Sequence, residues 1–468
     1  MRTSLAAVVN NSTMFSSVNR LPPEVLSRIF EASKTHCICG DGYCMDDLAG
    51  ICVYWRKIAL NTASLWTHVD IEPKTSPKLI ELLLGRSKNL LIHAHILEIE
   101  PERDSRPLRG LEVKYATANM MMALQLHLHR ISALSIDSNN DSGHFIRGVL
   151  DIWSDWGTNS SLRSLAVDWC PPWSDTVLKL PRKSRASHST EHVLRNLDTL
   201  HLRYVMFKWE SSIYNGLIDL QLDFEGDPVW IPFPKLANIL ITCPALATLK
   251  LSHLHILEEW NQMQRLEYVN LVHMEPEDAG LVLSVITLPG PRVELGITYS
   301  RKGTPDNRLA GFFARSKVTT LYYTCCDWCE SCSNDRCCKS KSFKASEFFP
   351  RYLPHVQTLI LRNFDLSVTN VDQTSALPPP TPLQSQLQGL ILLKCTVDSE
   401  ALNRLVLEIG VQELHLEQCK TDNLLEGDQR QQELQTMQAS LRKIYPQLRC
   451  RISSIDSTEN LSCRTIFD

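Results

Sequence analysis

The feature that most constrains this chain is a short apolar pattern that returns along most of its length. Apolar residues stand at positions 1, 4 and 6 of Ile131-Ser132-Ala133-Leu134-Ser135-Ile136, and further copies begin at Leu162, Leu197, Leu217, Leu246 and Leu266. Val293-Glu294-Leu295-Gly296-Ile297 keeps only the alternation, and copies resume at Val318, Val356, Leu387 and Val411. Alternating apolar residues turn one face of a strand inward. Helical spacing appears between copies: Phe233 to Thr242 offers Leu236, Ile239 and Leu240, and Ser399 to Ile409 offers Leu402, Leu405, Val406 and Ile409. Leucine is common, so one match means little, and a two-layer α/β domain would contain some by chance. A series of copies in order instead predicts stacked strand–helix units.

Such units resemble leucine-rich repeats. Their spacing, from 20 to 38 residues, is similar to the degenerate repeats of fungal F-box proteins and unlike a regular horseshoe. The resemblance implies an irregular α/β solenoid over residues 72–452, with parallel strands on a concave face. Every second side chain there faces outward. Those positions hold Ser135, Asp137, His201, Arg203, Gln221, Asp223, Lys250, Tyr322, Arg362, His415 and Glu417. Charges of both signs suit a protein partner better than a phosphate backbone, although solvated strands look much the same. The net charge of -4, from 48 basic and 52 acidic residues, also argues against bulk attraction to nucleic acid.

Ahead of the repeats lies a different pattern. Leu21-Pro22-Pro23-Glu24-Val25-Leu26-Ser27-Arg28-Ile29-Phe30 places prolines in a first helical turn, where the backbone N–H lacks a partner anyway. Glu24 suits the positive end of the helix dipole. Leu26, Ile29 and Phe30 make one apolar face, with Val25 beside them. A second helical spacing runs through Leu48, Ile51, Cys52, Trp55, Ile58 and Ala59, and Leu65 to Ile71 reads as a short extended segment.

The opening Leu-Pro-Pro-Glu-Val-Leu, the block Ile51-Cys52-Val53-Tyr54-Trp55-Arg56 and the closing Leu65-Trp66 together resemble an F-box. The resemblance covers residues 19–71, about a tenth of the chain, and implies a three-helix unit that binds a Skp-type adaptor. It further implies that the adaptor joins this chain to a cullin–RING ubiquitin ligase of the SCF type, with the repeats capturing a target protein. Leu21, Pro22, Pro23, Val25, Leu26, Ile29, Phe30, Leu48, Cys52, Trp55 and Trp66 are then expected to build or support the adaptor-binding face. Ordinary helical core is the competing role for several of them. So small a unit buries little core alone, which makes an apolar face completed by a partner physically sensible.

The expected fold is therefore α/β, a small F-box followed by a repeat domain. Residues 1–18 and 453–468 are expected to be tails, and 171–191, 325–345 and 367–386 loops. The 171–191 stretch includes the basic run Pro181-Arg182-Lys183-Ser184-Arg185, and the 367–386 stretch includes Pro378-Pro379-Pro380. Glu426 to Gln438 is read as a solvated helix.

Met1 to Ser17 carries one Arg and a short apolar patch, Leu5 to Val9, so no secretory leader is expected. No apolar run approaches the roughly 20 residues that span a bilayer. A cytoplasmic or nuclear location follows, with no membrane or nucleic-acid partner. The 16 cysteines are then expected to be reduced and mostly buried.

Two cysteine groups admit metal. Cys37, Cys39 and Cys44 with His36 are irregularly spaced. Cys326, Cys329, Cys332 and Cys337 could supply four thiolates to zinc, but stand closer than paired knuckles usually do, and a reduced loop is the simpler reading. No cofactor is expected. Nor are catalytic residues, because no phosphate-binding glycine loop, nucleophile elbow or His-Glu-x-x-His helix occurs. The alternative function is a repeat scaffold without ligase coupling.

Overall fold

The computed structural model describes residues 17–33, 50–98, 110–139, 143–156, 161–170, 177–180, 187–224, 229–257, 264–265, 268–271, 274, 276–287, 294–299, 307–325, 355–366, 387–421 and 428–453. The chain is a mixed α/β protein built on parallel sheet. It divides by contacts into one unit ending at Leu217 and another running from Ile218 to Ile466.

The first unit opens with a helical part. A 3-10 turn, Ser17–Arg20, precedes α1 (Pro23–Ser33), which packs near α2 (Val53–Asn61) and a second 3-10 turn, Ala63–Trp66. Leu26, Phe30, Ile58, Ala59, Leu65 and Trp66 form its core, and Val18, Leu21, Tyr54, Trp55 and Leu83 pack against it. The first described element thus begins one residue before the expected end of the tail at residue 18.

Two local expectations are corrected. The second helical block is interrupted: Gly50 and Ile51 are helical, Cys52 is extended, and a new helix starts at Val53 that Cys52 caps, its Sγ accepting from Trp55 N–H at 3.4 Å. Leu65-Trp66 is not extended: Trp66 Nε1 donates to Ala59 O at 2.8 Å, and that buried bond folds the chain back over α2. Leu48 lies outside the described residues.

Five parallel strands follow: β1 (His68–Ile71), β2 (Ile92–Glu98), β3 (Ile131–Ser138), β4 (Ser164–Trp169) and β5 (Thr199–Arg203). Each pairs with the next in the chain. Helices α3 (Pro77–Arg86), α4 (Gly110–Gln125), α5 (His144–Trp156) and α6 (Ser187–Leu194) intervene. Ser76 caps α3 through Leu79 N–H, with Pro77 in its first turn.

The register aligns Val69, Ala94, Leu134, Leu165 and Leu200 in one row across the sheet. All five are buried. Positions 4 and 6 of successive sequence copies therefore stack on one inner face. Residues 171–191 are less loop-like than expected: they contain the strand Leu178–Leu180 and the start of α6. Leu178–Leu180 pairs in parallel with Val205–Phe207, and Leu178 N–H donates to Tyr204 O at 2.8 Å.

The second unit holds β6 (Asp219–Asp223), β7 (Thr248–Ser252), β8 (Tyr268–Leu271), β9 (Glu294–Tyr299), β10 (Thr320–Cys325), β11 (Thr358–Arg362), β12 (Gly389–Leu393), β13 (Glu413–Glu417) and β14 (Arg449–Ser453). These too are parallel, in chain order. Described helices here are α7 (Phe233–Thr242), α8 (Pro276–Val285), α9 (Asn307–Arg315), α10 (Ser399–Ile409) and α11 (Asp428–Ile444). The expected helices at Phe233–Thr242 and Ser399–Ile409 are present with those bounds. Residues 326–345 and 367–386 lie outside the described residues. Cys325 ends β10, and Ser453 ends β14, so neither belongs to the expected loop or tail.

A recurrent corner ends several strands. Tyr204, His253, Asn363, Lys394 and Gln418 all have φ between 51° and 61° and directly follow β5, β7, β11, β12 and β13. Short second strands then form, such as Asp365–Leu366, Thr396–Val397 and Lys420–Thr421, which pair with one another. Left-handed backbone at a side-chain-bearing residue costs about 1–2 kcal/mol, so the ladders on both sides of the corner must outweigh it.

Free cysteines among the described residues are Cys52, Cys243, Cys395, Cys419 and Cys450, all buried, and exposed Cys170. Burial pushes the Cys450 thiol up to about 11, with Arg442 pulling weakly the other way. That leaves about a hundredfold less thiolate at neutral pH than an ordinary thiol holds. Iodoacetamide is therefore expected to label Cys170 in the folded chain and Cys450 only after denaturation. Peptide mass spectrometry would show it, and equal labelling of both would contradict the packing described.

Candidate functional site

α1 carries two opposed faces. Leu26 and Phe30 are turned into the small core, where Phe30 lies 4.9 Å from the Trp55 ring, centroid to centroid. Val25 and Ile29, one helical turn apart, stay 41% and 42% exposed, and Pro22 and Pro23 are exposed at the helix start. Apolar side chains left in water on a short helix make a surface that a partner could cover.

The residues expected at an adaptor face thus divide. Leu26, Phe30, Cys52 and Trp66 are buried, Leu21 and Trp55 are half-buried, and Pro22, Pro23, Val25 and Ile29 remain at the surface. Sequence periodicity gives an apolar stripe without saying which edge faces the core. The fold adds Ile51 and Val53, 55% and 47% exposed beside Cys52. They were legible only as members of the second helical block.

Hydrogen bonds tie α1 to the elements around it. Tyr54 Oη donates to Leu21 O at 3.2 Å, and Ser27 Oγ and Thr62 Oγ1 lie 3.1 Å apart. Ser64 Oγ donates to Glu31 Oε1. The Arg86 guanidinium sits 4.3 Å from the Trp66 ring centroid, which links α3 to this core.

The outward strand positions are mixed, as expected from the sequence. Ser135, Asp137, His201, Gln221, Asp223, Lys250, Arg362, His415 and Glu417 are half-buried and Arg203 is exposed. Tyr322 departs from this: it is buried, with Gly296 and equally buried Ile360 as its register neighbours. Charges pair across adjacent strands, as in Arg203–Asp168 at 3.4 Å and Arg449–Glu413 at 2.7 Å.

A second cluster was read only in part: the alternation of His93 and His95 in the sequence suggests surface residues on a strand, whereas His95 is buried and grouped with residues of other strands. His68 and Asp70 sit two apart on β1, so both point to the same face. The register sets His95 of β2 beside Asp70. His68 Nε2 and His95 Nδ1 lie 2.9 Å and 2.7 Å from the same oxygen, Asp70 Oδ1. On its other side His95 Nε2 meets Asp137 Oδ2 at 2.9 Å. His68 Nδ1 faces His93 Nδ1 at 3.3 Å, and His93 Nε2 faces Ser135 Oγ at 2.8 Å.

Burial raises the Asp70 pKa, but the hydrogen bonds and charges of His68 and His95 together outweigh it. They hold the carboxyl well below the usual carboxylate range. The alternations His68-x-Asp70 and His93-x-His95 are visible in the sequence, but their juxtaposition depends on strand register. Cys326, Cys329, Cys332 and Cys337, with Cys37, Cys39 and Cys44, lie outside the described residues.

No protein family matches the chain, and no curated protein matches it. Among the described residues, no helix is long and apolar enough to cross a membrane.

Proposed function

We propose that this chain is the non-catalytic substrate-recognition subunit of an SCF-type ubiquitin ligase. In this reading the helical part before β1 is an F-box that docks on a Skp-type adaptor, and a leucine-rich-repeat-like solenoid captures the target protein. The observation that carries the reading is α1: a helix opening Leu-Pro-Pro-Glu-Val-Leu closes a small core with Leu26 and Phe30 while leaving Val25 and Ile29 in water. Pro22, Val25 and Ile29, with Ile51 and Val53, are its contact residues. Leu26, Phe30 and Trp66 support them from beneath.

The repeat half rests on stacked strands and on spacing. Leu387, Leu390, Leu392, Cys395 and Val397 follow the leucine-rich pattern and are all buried. Cys395 Sγ lies 3.4 Å from Leu361 O of the preceding strand, a bond that ties one unit to the last. Ubiquitin transfer belongs to the ligase partners, and this subunit contributes proximity. The reading places it in the cytoplasm or nucleus.

The test uses purified full-length chain and a Skp-type adaptor. Wild type is expected to retain the adaptor, and the double variant Val25→Asp, Ile29→Asp to lose at least about tenfold in affinity, since two exposed apolar contacts become charges. Circular dichroism should be unchanged, because both side chains are at the surface. Undiminished retention by the variant, or none by wild type, leaves the scaffold without ligase coupling as the better reading.

A further inference from the structure

We propose that His68, Asp70 and His95 bind one divalent transition-metal ion of the zinc class, through His68 Nε2, an Asp70 carboxylate oxygen and His95 Nδ1. This stands apart from the ligase reading and uses only the outer face of β1–β3.

The first ground is convergence. The three ligand atoms lie within 4.8 Å of one another. Two ligands at about 2.0–2.1 Å from a tetrahedral zinc stand roughly 3.3 Å apart. The 2.7 and 2.9 Å separations need to open by about half an ångström to reach that distance, and the His68–His95 pair, which lies within 4.8 Å, needs to close toward it.

The second ground is the surrounding shell. A metal-bound imidazole uses one nitrogen on the ion and must donate N–H from the other. His95 Nε2 already faces the Asp137 carboxylate, a pure acceptor. His68 Nδ1 faces His93 Nδ1, and His93 can accept there if its Nε2–H donates to Ser135 Oγ. Both ligating rings therefore have a partner that fixes the metal-binding tautomer.

The third ground is access and ligand type. The Asp70 side chain is 58% exposed and that of His68 22%, while that of His95 is 3% exposed and anchored. Ions can enter from solvent, and three protein ligands leave a position open to water or a partner's side chain. Two imidazoles and one carboxylate favour zinc, cobalt, nickel or copper over calcium or magnesium, which prefer all-oxygen sites.

The test is zinc stoichiometry on the full chain, stripped with chelator, dialysed against buffered zinc and measured by mass spectrometry. Any zinc held by cysteines elsewhere contributes equally to every variant and cancels. Wild type should hold one equivalent more than Asp70→Ala, and one more than His68→Gln. Both changes are at partly exposed positions and should leave the circular dichroism native. Asp137→Asn removes only the outer carboxylate's charge and one of its two accepting oxygens, so it should weaken binding about 10- to 100-fold without changing the ligand set. In cobalt-loaded protein, the wild-type minus Asp70→Ala spectrum should show ligand-field bands without thiolate charge transfer. Equal zinc in wild type and both ligand variants overturns the proposal, as does a thiolate signature in that difference spectrum.

Discussion

Phe30→Asp unfolds the N-terminal helices, whereas Ile29→Asp, one residue earlier, leaves them folded. Phe30 is 1% exposed and closes a core of a few side chains, while Ile29 is 42% exposed. Removing a buried Phe costs about 3–5 kcal/mol as alanine, and an unpaired buried carboxyl adds to that. The sum rivals the whole stability of a small domain, about 5–15 kcal/mol. Because Phe30 packs on Trp55, and Trp66 is bonded to Ala59, the loss should spread through α2. Amide exchange over Val53–Asn61 and limited proteolysis would read it, with Phe30→Asp losing protection and Ile29→Asp keeping it. If both variants exchange alike, the division of α1 into a core face and a surface face is wrong.

The pattern at positions 1, 4 and 6 was a good guide because each position has a fixed fate. Leu162, Leu165 and Val167, for example, are all buried around β4. The pattern failed where one position is polar or small. In β14 the first position is Gln447, although Cys450 and Ile452 follow at 4 and 6. In β2 the fourth is Ala94. Trp66, Val69 and Ile71 also keep the spacing and are all buried, so Trp66 serves both the helical core and the approach to β1. That dual use was hidden because Leu65-Trp66 reads equally well as the end of one motif. The histidine cluster was hidden for another reason: its members come from separate strands, and a one-residue slip in register would part them.

Leu390→Ala should cost about 2–5 kcal/mol, and the way it combines with other substitutions is the more informative result. Leu295, Leu321, Leu359, Leu390 and Leu414 lie in one register row of β9–β13, each 0–1% exposed. Each strand pairs only with the strands before and after it. Leu359 and Leu390 are direct partners, so Leu359→Ala and Leu390→Ala share one void and should couple by about 0.5–3 kcal/mol. Leu295 and Leu390 are separated by three strand spacings, roughly 14 Å at about 4.8 Å each. Those two substitutions should add to within about 0.5 kcal/mol. Denaturant unfolding of the singles and both doubles measures the coupling, and amide exchange locates it, with protection lost first in β11, β12 and β13. Equal coupling for the near and distant pairs would mean a core that responds as one body. Stability passed from neighbour to neighbour requires the near pair to couple and the distant pair to add.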